Sequence, residues 1–360
     1  MLKKFAHTSL YLMLGCTAAS LGAHAEEELP TIHTLPCHGV CANSTDAVGI
    51  SQPKPAWPSQ FLDEAAYVEG YVRLHYKIKT DGHVSDISVI SVVGPKLFAE
   101  RTVNAVKDWI YKPATLEGKV VEKCHTLLLI FNIGQWAQRG ARPAIAQAYE
   151  KAIRSAKDEK WDEAQAILTE ALSRPKLNLY ERGMLANISS LLALGKADYW
   201  EAHRLSTEAL NFSGKDLPRL VRRTLLQTRI KAASMLGDIV DALDAADEFK
   251  SEGFDAADLI VKYVGDVREK ADAMPVFAMS VKIPETEQGE SAYLSLYRRT
   301  FAFQDIKGSL SGFTLSCKQQ AIASKITETA EWRVPKSWSE CSILVRGAPG
   351  TTFKIVQANS

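Results

Sequence analysis

The sequence has almost no net charge. Its 360 residues carry 43 lysines and arginines against 42 aspartates and glutamates, a formal net charge of +1. This balance gives no reason to expect nucleic acid or an anionic membrane surface as a partner. Hydrophobic content of 46% and charged content of 24% are ordinary for a soluble globular protein, and the length suffices for two or three domains.

The sequence also lacks the motifs of the common enzyme classes. It contains no Gly-x-Gly-x-x-Gly, P-loop, His-Glu-x-x-His or Gly-x-Ser-x-Gly pattern. Ser51 and Lys54 have a Ser-x-x-Lys spacing, but Pro53 and Pro55 conflict with the helix start that this chemistry requires. Catalytic groups can converge from distant positions, yet nothing here motivates catalysis. We therefore predict a protein that is not an enzyme and needs no cofactor.

The first 25 residues are typical of a secretory signal peptide. Lys3 and Lys4 precede a mostly apolar stretch from Phe5 to Leu21, and small residues flank a cleavable bond after Ala25. We expect removal of residues 1–25 and export of the remainder.

Two alternatives remain open for this segment. Leu14-Gly15-Cys16 resembles a lipoprotein acceptor site, although Met13 is a poor residue before it. An uncleaved membrane anchor is the other alternative, but the apolar run is short and contains polar residues. Beyond residue 25 the sequence has no apolar run long enough to span a bilayer.

Cysteines are few, and five of the six remain after cleavage. Export would place them where disulfides persist. We expect two disulfides, Cys37 with Cys41 in a local loop and Cys317 with Cys341 in a strand-rich region, although spacing alone does not prove either pairing. Cys124 is left over, and we expect it to be buried at the start of a strand.

A metal is the alternative for the first of these pairs. His33 and His38 lie beside Cys37 and Cys41, and thiolate and imidazole groups are ligands for zinc or copper. We favour the disulfide and predict no metal site.

Residues 55–134, after an irregular lead-in over residues 26–54, predict a hairpin, a helix and a returning strand. Period-two alternation places four apolar residues on one strand face and four polar residues on the other, a solvated face: Val72, Leu74, Tyr76 and Ile78, and Arg73, His75, Lys77 and Lys79. Thr80-Asp81-Gly82 predicts a tight turn. Pro95 would open a helix whose apolar stripe runs through Ile110 until Pro113 ends it.

Two further regions follow. Residues 143–272 are rich in alanine and leucine, and Ala164, Ala202 and Ala242 recur at spacings of 38 and 40 residues within similar sequences. This resembles the tetratricopeptide repeat in about three degenerate units, with a plain helical bundle as the alternative. Residues 275–360 alternate as short strands, which favours a small β-sandwich.

Five motifs within the first region occur in a characteristic order. They are Gln52-Pro53-Lys54-Pro55-Ala56-Trp57-Pro58, Glu69-Gly70, Asp81-Gly82-His83-Val84, Trp109-Ile110-Tyr111-Lys112-Pro113 and the strand that ends at Phe131. With Gly118, they resemble the TonB C-terminal domain family over roughly a quarter of the chain. We therefore predict an α+β multidomain fold: a small TonB-like αβ domain, α-helical hairpin repeats (TPR-like), and a C-terminal β-sandwich-like domain.

The resemblance implies a function and a contact surface. In that family the domain crosses the periplasm and engages outer-membrane receptors, a segment of which pairs with the edge of the domain's sheet. By resemblance the partner-binding residues are Gln52, Pro53, Trp57, Pro58, His125, Leu127, Leu129 and Phe131. The expected protein is a periplasmic interaction protein that binds a protein partner, an outer-membrane receptor or another envelope protein.

Departures from the family keep a second function open. An energy-transducing member has an inner-membrane anchor and a long proline-rich spacer before this domain, whereas here the domain begins about 30 residues after the expected cleavage site. Energy transduction for receptor-mediated transport, from an inner-membrane anchored protein, is therefore the alternative.

The signal-peptide prediction is testable on native material. N-terminal sequencing of the protein purified from its own cells should find Glu26 first. An intact Met1, or a lipid on Cys16, would contradict cleavage after Ala25.

Overall fold

Helices and sheets occupy successive parts of the chain. The structure is a computed structural model that describes residues 32–34, 44–55, 68–131, 140–213, 216–284, 291–317, 321–327 and 330–359. Residues 32–360 pack as one unit. None of the helices in these ranges combines the length and the apolar composition that crossing a bilayer requires. The fold is therefore a mixture of α and β regions, as predicted.

The first region is built around an antiparallel sheet of three strands. The last of these strands in sequence is also the last element of the region. The elements are β1 (Ile32–Thr34), β2 (Ser44–Thr45), β3 (Val48–Ser51), β4 (Gly70–Ile78), β5 (Val84–Val93), α1 (Lys96–Lys107), β6 (Ile110–Lys112), β7 (Ala114–Leu116), β8 (Lys119–Val121) and β9 (Lys123–Phe131). The sheet has the order β5-β4-β9, so β4 lies in the centre. Its register aligns Gly70 with Phe131 and Ile78 with Lys123.

The predicted turn joins β4 to β5. Gly82 has a φ of 83°, and its N–H donates to the Lys79 carbonyl at 2.9 Å. A Cβ atom at this position would lie 2.1 Å from the Tyr111 carbonyl oxygen. Gly82 is thus required for two reasons, the left-handed backbone conformation and the close approach of β6.

One face of the sheet forms the core with α1. Val72, Leu74 and Ile78 of β4 are fully buried there against Phe98 and Val106 of the helix. The period-two alternation of β4 predicts this face correctly, because alternate side chains of a strand point to the same side.

The other face of the sheet is covered at His75, which corrects the prediction for this residue. Its side chain is only 2% exposed and lies beside Tyr293, with ring centroids 6.0 Å apart. At the other end of the strand, Tyr71 packs in a core of helical side chains that also contacts Leu128 of β9. Polar residues on this face therefore meet other parts of the same chain, which local alternation does not reveal.

Two predicted boundaries differ from the structure. The helix ends at Lys107 rather than near Pro113, and Ile110–Lys112 is the strand β6, paired with β3. Burial alternates along this segment as it does along a strand, because Tyr111 is buried while Ile110 and Lys112 are exposed. The lead-in is also not irregular throughout, since it contains β1, β2 and β3, and β1 pairs in parallel with Glu331–Arg333.

Among the residues described from 140 to 273, seven helices are arranged largely as helix–turn–helix pairs. They are α2 (Pro143–Lys157), α3 (Trp161–Leu172), α4 (Leu179–Gly195), α5 (Tyr199–Ser213), α6 (Arg219–Leu236), α7 (Ile239–Ser251) and α8 (Ala257–Ala273). Ala164, Ala202 and Ala242 are each the fourth residue of the second helix of a pair, and all three are fully buried. A small side chain there lets the paired helices approach closely; the assignment to tetratricopeptide repeats stays a prediction.

The remaining strands form two sheets with a shared core. They are β10 (Val276–Lys282), β11 (Ser291–Ser295), β12 (Thr300–Lys307), β13 (Leu310–Ser316), β14 (Ala321–Ser324), β15 (Glu331–Arg333), β16 (Ser342–Gly347) and β17 (Thr352–Ala358). The sheet orders are β1-β15-β12-β17-β10 and β11-β16-β13-β14. Phe301, Phe313 and Trp332 lie in the core between them. The β-sandwich-like assignment stays an interpretation of this arrangement.

The buried position of His75 predicts acid sensitivity. Burial, reinforced by Arg346, lowers the pKa of His75 from 6.5 to about 4. Between these values the unfolded chain binds the proton and the folded protein excludes it, so the free energy of unfolding falls as the pH drops from 6.5 to 4. The loss is on the order of 3 kcal/mol. Urea denaturation at pH 7 and pH 4 should show this loss in the wild type and much less of it in His75→Phe.

A matched control for this prediction is His83→Gln. His83 is exposed and follows the turn, so its replacement removes a histidine without changing the buried surroundings of His75, and the loss attributed to His75 should remain in this variant. An unaltered pH dependence in His75→Phe would show that His75 does not titrate in this range.

Candidate functional site

The candidate site is the outer edge of β9 together with the strands beside it. β9 pairs with β4 alone among the described strands. In an antiparallel strand, alternate residues direct their N–H and C=O groups to opposite sides. One alternating set of backbone groups in the middle of β9 therefore points away from β4, and no described strand lies there.

Gln52 and Pro53 are held at this site by the motif around Trp109. The Gln52 Nε2 donates to the Tyr111 hydroxyl at 2.7 Å, and the Trp109 Nε1 donates to the Pro53 carbonyl at 2.9 Å. Two motifs that are more than fifty residues apart in sequence thus form one structural unit. The side chains of Trp109 and Tyr111 are themselves buried.

The Tyr111 hydroxyl connects this unit to β4 and β9. It lies 2.6 Å from the Tyr76 hydroxyl, and burial raises the pKa of both tyrosines. The ring of His125 lies 5.8 Å from that of Tyr111, and its Nε2 is 3.4 Å from the Asp46 carboxylate. Gln52 and His125 are therefore brought together through Tyr111.

Sequence reasoning missed Asp46, Tyr76 and Tyr111 as members of this cluster. The available signal was the pair of phenol groups within otherwise apolar stripes, because a buried hydroxyl needs a partner. Asp46 has no such signal, since only the folded chain brings it beside Lys123 and His125.

The other predicted β9 residues turn their side chains inward. Leu127 and Leu129 pack against the core formed with α1, and Phe131 stacks on Phe98 with ring centroids 4.1 Å apart. The exposed side chains of β9 are instead Thr126 and Ile130. Leu127, Leu129 and Phe131 would therefore meet a partner through the strand's backbone and not through their side chains.

Several predicted residues lie outside the described ranges or away from the site. Trp57, Pro58, Cys37 and Cys41 fall outside the residues that the structure describes. Cys317 and Cys341 form a disulfide in the last region. Cys124 is a free, buried thiol at the start of β9, and burial raises its pKa to about 12.

No group of histidine, cysteine, aspartate or glutamate side chains that could hold a metal ion occurs in the described part of the chain.

Comparisons with known proteins identify the region that contains this site. The family described as "Gram-negative bacterial TonB protein C-terminal" matches residues 59–133. Protein TonB of Pseudomonas aeruginosa is 28% identical over 91 residues, which are 25% of this chain and 26% of that protein. The chain carries a TonB C-terminal domain. It spans about a quarter of the length of this curated relative.

Solved structures of two TonB proteins also match a part of the chain. The solution NMR structure of the Pseudomonas aeruginosa TonB CTD is 26% identical with a TM-score of 0.23, and the match covers 26% of this chain and 93% of that one. The TonB2 protein from Vibrio anguillarum is 29% identical with a TM-score of 0.21, over 31% of this chain and 100% of that one.

The two edges of the TonB domain's sheet differ. The β5 side lies against β11 and β16 of the last region, where the Ser291 Oγ donates to the Val89 carbonyl at 3.3 Å and the Arg346 Nε donates to the Ser88 hydroxyl at 3.3 Å. Neither β5 nor β9 pairs with a further described strand, and the two edges differ in that only β5 has these hydrogen bonds to the last region.

The tyrosine link predicts a measurable stability effect. Tyr111→Phe removes the hydroxyl that accepts from Gln52 and leaves the buried Tyr76 hydroxyl without its partner. We expect the free energy of unfolding to fall by about 1–3 kcal/mol in urea denaturation. Tyr180→Phe is the control, because the Tyr180 hydroxyl makes no hydrogen bond within the described ranges. Equal losses in both variants would show that the hydroxyl cluster adds no stability.

Proposed function

We propose that the protein is an envelope interaction protein whose TonB C-terminal domain binds an extended segment of a protein partner along the outer edge of β9. The observation that carries this proposal is that no described strand pairs with the outer side of β9, whereas β5 already receives two hydrogen bonds from the last region. An incoming strand would satisfy the outward backbone groups of β9, which is the mode of β-augmentation. A segment of an outer-membrane receptor is the favoured partner.

The energetics of such pairing favour a reversible complex. Each backbone hydrogen bond contributes only about 0.5–1.5 kcal/mol net, because the backbone groups of both strands give up hydrogen bonds to water when they pair. Pairing with the middle of β9 would therefore be weak without side-chain contacts. Gln52 at one end and the exposed Ile130 at the other supply polar and apolar contacts that would add affinity and direction.

The proposed location follows from the sequence and the domain together. Removal of residues 1–25 after export would leave the TonB domain in the periplasm, where an outer-membrane partner is within reach. The described helices and the last region would then act as the scaffold that holds the domain, and no enzymatic activity is proposed for them.

Energy transduction is the second candidate. The similarity to Protein TonB of Pseudomonas aeruginosa favours it, although that similarity covers 26% of the relative. This function needs an anchor in the inner membrane, so it requires that the N-terminal segment be retained.

Cross-linking at defined positions tests the edge. A photoreactive amino acid at Thr126 or Ile130 should capture one partner protein in cells, within a single extended peptide. Leu172 and Leu259 are the control positions, because they are exposed hydrophobics on helices α3 and α8. Cross-links of equal yield at the control positions would contradict binding at β9. Capture of a second copy of this chain would show self-association in place of a different partner.

A proline scan of Leu127–Ile130 separates binding from folding. Alternate prolines remove N–H groups that face either β4 or the open side. We expect one alternating pair to unfold the domain and the other to keep the circular dichroism spectrum while abolishing cross-linking from Thr126. Undiminished cross-linking in every folded proline variant would overturn the edge-pairing mechanism.

A further inference from the structure

A cavity of about 140 Å³ lies where the TonB domain, the helices and the last region meet. Its walls come from β4, β5, α5, β10 and β11, and they include one arginine of the TonB domain, Arg73. The cavity is separate from the open edge of β9 and plays no part in the function proposed above.

The Arg73 guanidinium contacts an aromatic ring but has no hydrogen-bond acceptor among the described residues. Its guanidinium lies 5.4 Å from the centre of the Tyr293 ring, and it makes no hydrogen bond or ion pair within the described ranges. Burial lowers the pKa of Arg73, so the cation is held in a place that disfavours it. Guanidinium donors without acceptors are costly when they are withdrawn from water.

The neighbouring acids make their ion pairs with other cations. Glu208 binds Arg204, with an oxygen 2.9 Å from the guanidinium, and Glu201 binds the same guanidinium at 2.6 Å. Asp241 binds both His203, at 2.8 Å, and Arg229, at 2.6 Å.

A third acid is harder to ionise than an exposed aspartate. Asp238 also lines the cavity, and burial, reinforced by the charge of Asp241, raises its pKa to about 6. Of the two arginines that line the cavity, Arg204 is ion-paired, whereas Arg73 makes no ion pair within the described ranges.

The rest of the wall suits a compact apolar group. Trp200, Met279 and Leu294 line it, together with the ring of Tyr293. Thr207 also lines it, and its hydroxyl is buried with no hydrogen-bond partner. A cavity of about 150 Å³ accommodates benzene, so the volume suits a ligand of that size.

A larger cleft adjoins the cavity. This cleft, of about 640 Å³, shares Trp200, Leu236 and Ser280 with the cavity. Lys282, Lys307 and Lys354 line it against a single aspartate, Asp305. A mouth lined mainly by one sign of charge raises the local concentration of ligands of the opposite sign.

We propose that the cavity binds a small organic carboxylate whose two oxygens accept hydrogen bonds from Arg73 and whose apolar body packs on Trp200, Met279 and Tyr293. The planar guanidinium matches a planar carboxylate, and the pairing is strong because both groups are charged. Bound there, the ligand would also contact all three parts of the chain and strengthen their association.

Benzoate and benzamide are matched probes for this site. They have the same ring and nearly the same size, but only benzoate carries the charge. Isothermal titration of the full chain should show saturable binding of benzoate and at least about tenfold weaker binding of benzamide. Arg73→Gln should reduce benzoate affinity to the level of benzamide, whereas Arg101→Gln, at an exposed position of α1, should change nothing.

A second variant keeps the test informative if Arg73→Gln does not fold. Thr207→Met fills part of the cavity and leaves Arg73 in place, so it should abolish binding of benzoate while the circular dichroism spectrum is retained. Equal affinity for the two probes, undiminished binding in both cavity variants, or no saturable binding of benzoate in the millimolar range would each overturn the proposal.

Discussion

Burial of both faces of the β5-β4-β9 sheet is the constraint on which the structure depends. A small sheet packed on one helix leaves its second face exposed to water. Here Tyr71 and Leu128 on that face pack against the core of the helices. The Glu69 carboxylate accepts a hydrogen bond from the backbone N–H of Leu179, at the first turn of α4, at 2.9 Å. Apolar burial and this polar contact together fix the helices against the TonB domain.

This packing decides which surfaces remain for a partner. The face with α1 is filled by the domain's own core, the second face is partly covered by the helices and the last region, and β5 is hydrogen-bonded to β11 and β16. Among the described residues, the outer edge of β9 has no strand or side chain of the last region hydrogen-bonded to it. A function based on that edge relies on backbone groups, which explains why the inward side chains of Leu127 and Leu129 still belong to the proposed contact strand.

Local patterns predicted much of the fold, because they report interactions between near neighbours in sequence. The alternation in β4, the glycine turn after it and the recurring alanines of the helical pairs are all of this kind. Patterns failed where two periods overlapped: Ile110 fits the apolar stripe of a helix, yet pairing with β3 makes its segment a strand. They also failed for His75, because a polar residue on an alternating strand is solvated only if nothing else in the chain covers it.

The sequence by itself determined the TonB C-terminal domain, its order of strands and helix, and the inward set of side chains on β4. Only the tertiary structure decided that Gln52 meets Tyr111, that Arg73 lines a cavity without forming an ion pair among the described residues, and that the last region is hydrogen-bonded to β5. The physical reason is distance along the chain. Residues that share a strand leave a periodic trace in sequence, whereas contacts between residues tens or hundreds of positions apart leave none.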